Sequence, residues 1–196
     1  MAPWGRKAVF GMNVLLHICC APCAIMCVKT LRQEGIEPTG YWENPNIHPY
    51  TEYQARKQTL EGYARSIGLK LIIGAKYGLR SFLSAVGSDF SGRCLSCYRL
   101  RFEGAAKYAA ENGYTHFTST LFISPYQNHE LMLRAAREAA EKYGVEFLHR
   151  DFRPCFTQGQ EEARALGLYM QKYCGCIFSE EERHLRRRKK KEEAQP

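Results

Sequence analysis

The chain lacks several sequence features, and each absence limits what the protein can be. No apolar run reaches the roughly 18 residues that a membrane-spanning helix needs, and the first residues, MAPWGRKAVFGMN, lack the apolar core of a signal peptide. The sequence contains no GxxxxGKS/T or GxGxxG phosphate loop and no HExxH motif. We therefore expect a cytoplasmic protein without P-loop ATP hydrolysis, without the usual dinucleotide binding and without zinc-protease activity.

Length and composition fit one domain. The 196 residues are 45% hydrophobic and show no internal repeat or linker, so we expect a single domain over 1–196. The net charge is +8, and part of it lies in a basic tail at 184–196 that we expect to be frayed. A basic excess suits a polyanionic partner such as RNA, but a basic tail is as readily explained as a solvated helix end.

The hydrophobic pattern predicts an α/β fold in which a parallel sheet alternates with crossover helices. We expect strands at 14–18, 39–44, 70–74, 115–123 and 146–151, and helices at 22–35, 50–68, 95–113 and 126–144. Each predicted helix ends at or near a glycine, as helices commonly do. The segment 77–101 interrupts the alternation, and extra helical sequence follows the last strand, so we expect a three-layer arrangement with additional C-terminal helices.

Polar and cysteine residues follow four of the predicted strands, in HICCAPC, ENPNIHP, FISPYQNHE and HRDFRPC. Because ligands of open parallel sheets bind beyond the carboxyl ends of the strands, these exits predict the site. Within them, His17 is better explained as a satisfied core histidine than as a ligand. Asn44 and Asn46 flank Pro45, and turn formation explains them as readily as binding does.

Nine cysteines in a reducing compartment favour metal or redox chemistry over structural disulfides. Cys19 and Cys20 follow the first strand at the start of a helix, which favours the thiolate form. Cys94 and Cys97 form a CxxC motif flanked by arginines. Four thiolates can hold zinc or an iron–sulfur cluster. We expect the side chains of adjacent cysteines to diverge, which favours the larger cluster without excluding zinc.

The other cysteines have less certain roles. Cys174 and Cys176 in YCGCIF have two interpretations. They are extra metal ligands or free core thiols, or they form a reversible dithiol–disulfide couple. Cys23 lies near the start of the first helix, close to the strand end, and is either a ligand or a thiol that supports the ligands. Cys27 is better explained by core packing. Cys155 has no partner in the sequence, and we expect an inert thiol.

Five ordered motifs between about 14 and 182 resemble the epoxyqueuosine reductase QueH family: LLHICCAPC, YWENPNIHPYTEY, RCLSCYRLR, FTSTLFISPYQN and QKYCGCIFS. The resemblance implies a HUP-like, Rossmann-like fold in which CCAPC replaces the pyrophosphate loop of related enzymes. It also implies a 4Fe-4S cluster on four cysteines: Cys19, Cys20, Cys94 and Cys97. By the same resemblance Cys174 and Cys176 are a redox-active pair, and a second iron has Cys23 and Asp89 as candidate ligands.

The family resemblance implies a reductase that converts the epoxide of epoxyqueuosine, at the wobble position of tRNA, to the cyclopentene of queuosine. This needs two electrons, two protons and an electron donor that the sequence does not identify. Arg93, Arg99 and Arg101 are candidate contacts to tRNA phosphates. Two alternatives stay open: a zinc-stabilised RNA-binding module without catalysis, and an ATP-dependent tRNA thiolase.

Overall fold

The computed structural model describes residues 11–74 and 76–193 of the chain, with side chains up to residue 186. Five strands form one sheet in which all neighbours are parallel, in the order β3-β2-β1-β4-β5. The strands are β1 (Val14–His17), β2 (Thr39–Trp42), β3 (Leu71–Ile73), β4 (His116–Ser119) and β5 (Glu146–Phe147). The predicted α/β class with a parallel sheet is therefore confirmed.

In the described part of the chain, seven α-helices connect and follow these strands. They are α1 (Ala21–Gln33), α2 (Tyr50–Ser66), α3 (Leu79–Val86), α4 (Arg93–Glu111), α5 (His129–Tyr143), α6 (Phe156–Ala165) and α7 (Ile177–Glu193). Six of these helices pack in two groups. Helix α1 packs with α2 and α6, and α4 packs with α3 and α5. No helix in the described ranges is long and apolar enough to cross a membrane.

The basic tail predicted at 184–196 continues α7, whose backbone is helical through Glu193. Its side chains from residue 187 and its last three residues lie outside the described part of the chain.

All five strands are shorter than predicted, and two of them are shorter by four residues or more. The run 115–123 is a strand only through Ser119, after which Thr120–Ile123 form a 3-10 helix. Ser119 ends the strand because its Oγ accepts a hydrogen bond from the backbone N–H of Leu121, at 3.2 Å, and so caps the 3-10 turn. The run 146–151 pairs only through Glu146–Phe147.

Helix α3 was not predicted, and its position matters for the site. Phe82 and Val86 of α3 are buried with Cys97 and Cys176 in a small apolar cluster apart from the main core. The helix therefore packs two of the candidate site cysteines. The predicted helix ends are confirmed: for example, α5 ends at Gly144, whose left-handed φ of 66° favours glycine.

Strand β1 is buried along its whole length and carries the candidate cysteines to the middle of the sheet. It pairs with β2 on one side and β4 on the other, so the strand order changes direction beside it, which is where open α/β sheets bind ligands. His17 ends β1 with Nδ1 2.8 Å from Ser119 Oγ and Nε2 3.2 Å from the Glu43 carbonyl. Burial lowers the pKa of His17 to about 3, so this histidine is neutral and fully bonded, as expected.

Candidate metal centre

Three cysteines converge where β1 leads into α1; we call Cys19, Cys20 and Cys23 the thiol triad. Cys20 is the N-cap residue of α1, Pro22 occupies its first turn, and Cys23 follows on the same turn. The three sulfur atoms lie within 4.8 Å of one another, and all three residues are buried. From the sequence Cys23 was only a possible ligand, whereas the structure places its sulfur with those of Cys19 and Cys20.

The sulfurs of the adjacent cysteines do not diverge, contrary to the sequence-based expectation. Cys19 Sγ and Cys20 Sγ are 3.7 Å apart, at the point where β1 leads into α1. Two thiolates on one tetrahedral zinc ion, each about 2.3 Å from the metal, would be about 3.8 Å apart. The distance between these two sulfur atoms is therefore compatible with a single metal ion bound to the triad.

Cys19 is the thiol of the triad that loses its proton most readily. Hydrogen bonds from the thiols of Cys20 and Cys23 hold the pKa of Cys19 well below its ordinary value, and Arg101 adds to the effect. Burial raises the pKa of Cys20, and the neighbouring Cys19 raises that of Cys23. A metal bound to the triad would displace the protons that remain on these thiols.

Two residues that sequence reasoning missed bind the thiol triad directly. The hydroxyl of Thr120 donates to Cys19 Sγ at 3.4 Å and accepts from the Cys19 backbone N–H at 3.1 Å. The amide Nε2 of Gln171 donates to Cys20 Sγ at 3.0 Å and to Cys23 Sγ at 3.6 Å. Both residues lie inside the quoted motifs FTSTLFISPYQN and QKYCGCIFS, which was the available signal.

One cavity of about 1020 Å³ brings together the three cysteine motifs. Its wall includes six cysteines, two from each motif: Cys19, Cys23, Cys94, Cys97, Cys174 and Cys176. Cys94 is exposed, whereas Cys97 is buried and burial raises its pKa to about 12. Cys27 and Cys155 are not among the described wall residues; Cys27 is fully buried in the core, as expected.

Residues from three of the four predicted strand exits line this cavity. The fourth exit, HRDFRPC, contributes none of its own residues to the described wall, although Phe156, which follows it, does. Strand β5 is only two residues long, and the chain then enters a 3-10 turn at Arg153–Cys155. The residues after this short strand, 149–155, therefore do not line the cavity.

The segment 174–176, which we call the CGC loop, is held by the loop after β2 and by α2. The backbone N–H of His48 donates to the Gly175 carbonyl at 2.7 Å. Arg56 of α2 donates to the carbonyl oxygens of Cys174 and Tyr173 at 3.2 and 2.9 Å. Gly175 has φ of 114°, a conformation that side chains rarely adopt, which explains the glycine between the two cysteines.

The two cysteines of the CGC loop share a hydrogen bond and differ in acidity. Donation from Cys176 and from Ser179 lowers the pKa of Cys174 to about 5, while the pKa of Cys176 is raised by its neighbour and by burial. Both are free thiols. A thiolate beside a thiol is the reduced state of a couple that can close to a disulfide.

The three predicted phosphate-binding arginines do not form one surface. Arg93 lines the cavity and pairs with Glu182. Arg101 also lines it but is buried, with Nη2 2.7 Å from Asn44 Oδ1. Arg99 lies outside the described wall and pairs with Glu138 at 2.9 Å. Alternate residues of one helix point in different directions, which separates their environments.

Asp89, the other candidate iron ligand, lies at the surface before α4. Its Oδ1 accepts hydrogen bonds from Ser91 Oγ at 2.7 Å and from the Gly92 N–H at 2.9 Å, and these bonds lower its pKa. It is not among the described residues of the cavity wall. The position of Asp89 is explained by the turn that starts α4.

Comparisons with known proteins show which family the chain matches. The family model for epoxyqueuosine reductase QueH matches residues 14–182. A protein of that name from Dehalococcoides mccartyi is 38% identical over 171 residues, covering 87% of this chain and 94% of that protein. The protein of that name from Thermotoga maritima is 32% identical over 176 residues, covering 85% and 90%.

A solved structure with a similar fold is a predicted subunit of a tRNA methyltransferase from Methanocaldococcus jannaschii DSM. Its TM-score is 0.54 at 11% identity, and the match covers 78% of this chain and 74% of that one. At this identity the likeness concerns the fold alone. It supports a Rossmann-like α/β architecture.

Proposed function

Because the chain belongs to the epoxyqueuosine reductase QueH family, we propose that it reduces the epoxide of epoxyqueuosine in tRNA to the alkene of queuosine. The observation that carries this proposal is the meeting of three cysteine motifs at one cavity. Protein thiols are the chain's own redox groups and its softest metal ligands. The cavity therefore places redox-active thiols and metal ligands where one substrate can reach both.

The reaction balances with the groups that line the cavity. Both carbon–oxygen bonds of the epoxide break, the carbons form a double bond, and the oxygen leaves as water after taking two electrons and two protons. The second proton comes from water, and closing the pair formed by the Cys174 thiolate and the Cys176 thiol to a disulfide releases two electrons and one proton. We propose that this pair supplies them, and that a cellular electron donor reduces the disulfide again.

The donor set fits a thiolate-bound metal centre. Three buried sulfurs within 4.8 Å, held by Thr120 and Gln171, suit iron or zinc rather than hard cations. We propose that a 4Fe-4S cluster binds to Cys19, Cys20, Cys94 and Cys97, with Cys23 available to a second iron. When bound, such iron would supply one-electron transfer and a Lewis acid for the epoxide oxygen.

The charge of the cavity wall supports a tRNA substrate. Its basic residues are Arg56, Arg93, Arg101, Arg164, Lys172, Arg183 and Arg186. Glu182 is the only acidic residue of the described wall, so the cavity attracts a polyanion. We expect binding that weakens with salt, because phosphate contacts release counterions. A tRNA substrate also agrees with the expected cytoplasmic location.

The test is reduction of epoxyqueuosine-containing tRNA by protein purified without oxygen and reconstituted with iron and sulfide. Nucleosides from digested tRNA are measured by mass spectrometry. Cys94→Ala should lose the visible absorption of the cluster and the queuosine product. Cys155→Ser is the matched control, because Cys155 is a half-buried thiol outside the described cavity wall. A fully active Cys94→Ala protein would contradict the ligand assignment.

One observation favours a second function. The 3.7 Å separation of Cys19 Sγ and Cys20 Sγ matches two thiolates on a single tetrahedral ion. A zinc-stabilised RNA-binding module without catalysis would have this geometry. The same preparation distinguishes the two, because that module would be colourless, contain zinc alone and leave the epoxide unchanged.

A further inference from the structure

Four of the eight buried polar atoms that lack a hydrogen-bond partner in the described residues belong to the cavity wall. In the part of the chain that the structure describes, such atoms include Nδ2 and Oδ1 of Asn46, Nε of Arg101 and Oε1 of Gln171. All three residues line the cavity. An unpartnered buried polar group is costly to keep and native proteins hold few of them. Their grouping on one wall indicates groups reserved for a ligand.

The two asparagines of ENPNIHP have different roles. Asn44 is fully used by the protein: Nδ2 donates to the Ile18 carbonyl at 2.9 Å, and Oδ1 accepts from Arg101 at 2.7 Å. Asn46 is equally buried, with 1% of its surface exposed, but neither atom of its amide has a partner. Hydrogen bonds to Ile18 and Arg101 explain Asn44, whereas no contact of this kind explains Asn46.

The unpartnered groups define the chemistry of the ligand. Asn46 offers one donor and one acceptor, Arg101 Nε offers a donor, and Gln171 Oε1 offers an acceptor. A phosphate group cannot satisfy this set, because it has no N–H or O–H to give to the two amide oxygens at neutral pH. A nucleobase edge carries carbonyl and N–H groups side by side, and carboxamides pair with such edges through two hydrogen bonds.

We propose that Asn46 reads the base of the target nucleoside, with Arg101 and Gln171 beside it, while the basic residues of the wall hold the phosphates. This inference rests on the proposed function, since it takes the wobble nucleoside of tRNA as the ligand. Recognition of RNA sequence generally uses single-stranded bases turned out of their stack and hydrogen-bonded at their edges. Asn46 is the residue to vary, because Arg101 and Gln171 also contact candidate metal ligands.

The experiment compares two synthetic anticodon stem-loops that differ only at the wobble position. One carries guanosine, and the other carries purine riboside, which stacks similarly but lacks the carbonyl and N–H groups of the guanine edge. Dissociation constants are measured by fluorescence anisotropy with the full-length, anaerobically purified protein. We expect the wild type to prefer guanosine about 10-fold or more. Asn46→Leu, close in size, should lower that preference at least about fivefold.

Thr118→Val is the matched control, because Thr118 Oγ1 is also buried and unpartnered but lies in β4, outside the described cavity wall. It should keep the wild-type preference. Neither substitution removes a hydrogen bond within the protein, so we expect urea midpoints at or above that of the wild type. Asn46→Ala replaces Asn46→Leu if the larger side chain prevents folding.

An unchanged guanosine preference in folded Asn46→Leu or Asn46→Ala protein would overturn the inference, and so would a wild type without any preference. Failure of the proposed function has a different signature, namely a wild-type protein that never converts epoxyqueuosine in tRNA. The binding comparison does not depend on that conversion. The two failures are therefore distinguishable.

Discussion

The buried ion pair between Arg56 and Glu52 gives the sharpest test of how the CGC loop is held. Arg56 Nη2 and Glu52 Oε1 are 2.6 Å apart, and the two side chains expose 2% and 9% of their surface. Arg56 also donates to two carbonyl oxygens at the start of the CGC loop. Arg56→Met keeps a side chain of similar length but removes the cation, which leaves the Glu52 carboxylate buried beside the Tyr169 hydroxyl.

The size of the effect follows from burial. Removing one member of a buried ion pair costs about 3–5 kcal/mol, because the other charge is left uncompensated. The lost hydrogen bonds to the loop carbonyls are part of that figure, since neighbouring interactions do not add. Arg56→Met should therefore lower the free energy of unfolding by about 3–5 kcal/mol. Adding Glu52→Gln should recover part of the loss, because it removes the stranded charge.

Urea unfolding followed by circular dichroism measures this change. Arg99→Met is the matched control, because Arg99 and Glu138 are each 41% exposed. A surface pair of that kind contributes about 0.2–1 kcal/mol. A loss below about 1 kcal/mol in Arg56→Met, equal to that of the control, would refute the view that this pair anchors the CGC loop.

Two further predictions concern the thiols. The pKa of Cys174 is lowered to about 5, so its thiolate persists at neutral pH; its alkylation rate, followed by mass spectrometry, should fall only as the pH drops through about 5. A midpoint near 9.0, the ordinary pKa of a cysteine thiol, would contradict this. Gln171→Leu removes the amide donor to Cys20 and Cys23 and should weaken metal binding about 10–100-fold in a chelator competition. Gln54→Leu, on α2 outside the described cavity wall, is the control, and equal affinities would exclude the role of Gln171.

Much of the fold could be predicted because its signals are local. The buried run of β1 and the glycine at the end of α5 each identify an element without any tertiary information. The apolar run 120–123 misled the prediction, since a single side-chain cap from Ser119 converts it to a 3-10 helix. Helix α3 carried an unused signal: Leu79, Phe82, Leu83 and Val86 follow helical spacing, and Phe82 and Val86 are buried.

The site was harder to predict than the fold, because its contacts join residues far apart in the chain. Gln171 reaches Cys20 across 151 positions, and apart from its place in the motif QKYCGCIFS nothing in its local sequence distinguishes it from a surface glutamine. The sulfur of Cys23 lies close to those of Cys19 and Cys20 because α1 begins directly after Cys20, and the sequence does not show that conformation. The CC, CxxC and CGC motifs were visible in the sequence, but only the folded chain brings them to one cavity.

The thiol triad uses the same physical feature by which related folds bind phosphate. A helix start beside the change of strand order carries unpaired N–H groups and partial positive charge, which attract an anion. Helix α1, described in full, has no acidic residue in its first turn and no side-chain hydrogen bond at its N-cap. The anion here is the Cys19 thiolate, which precedes that N-cap and has a lowered pKa. The position at which open α/β folds attract a phosphate thus favours a sulfur ligand in this chain.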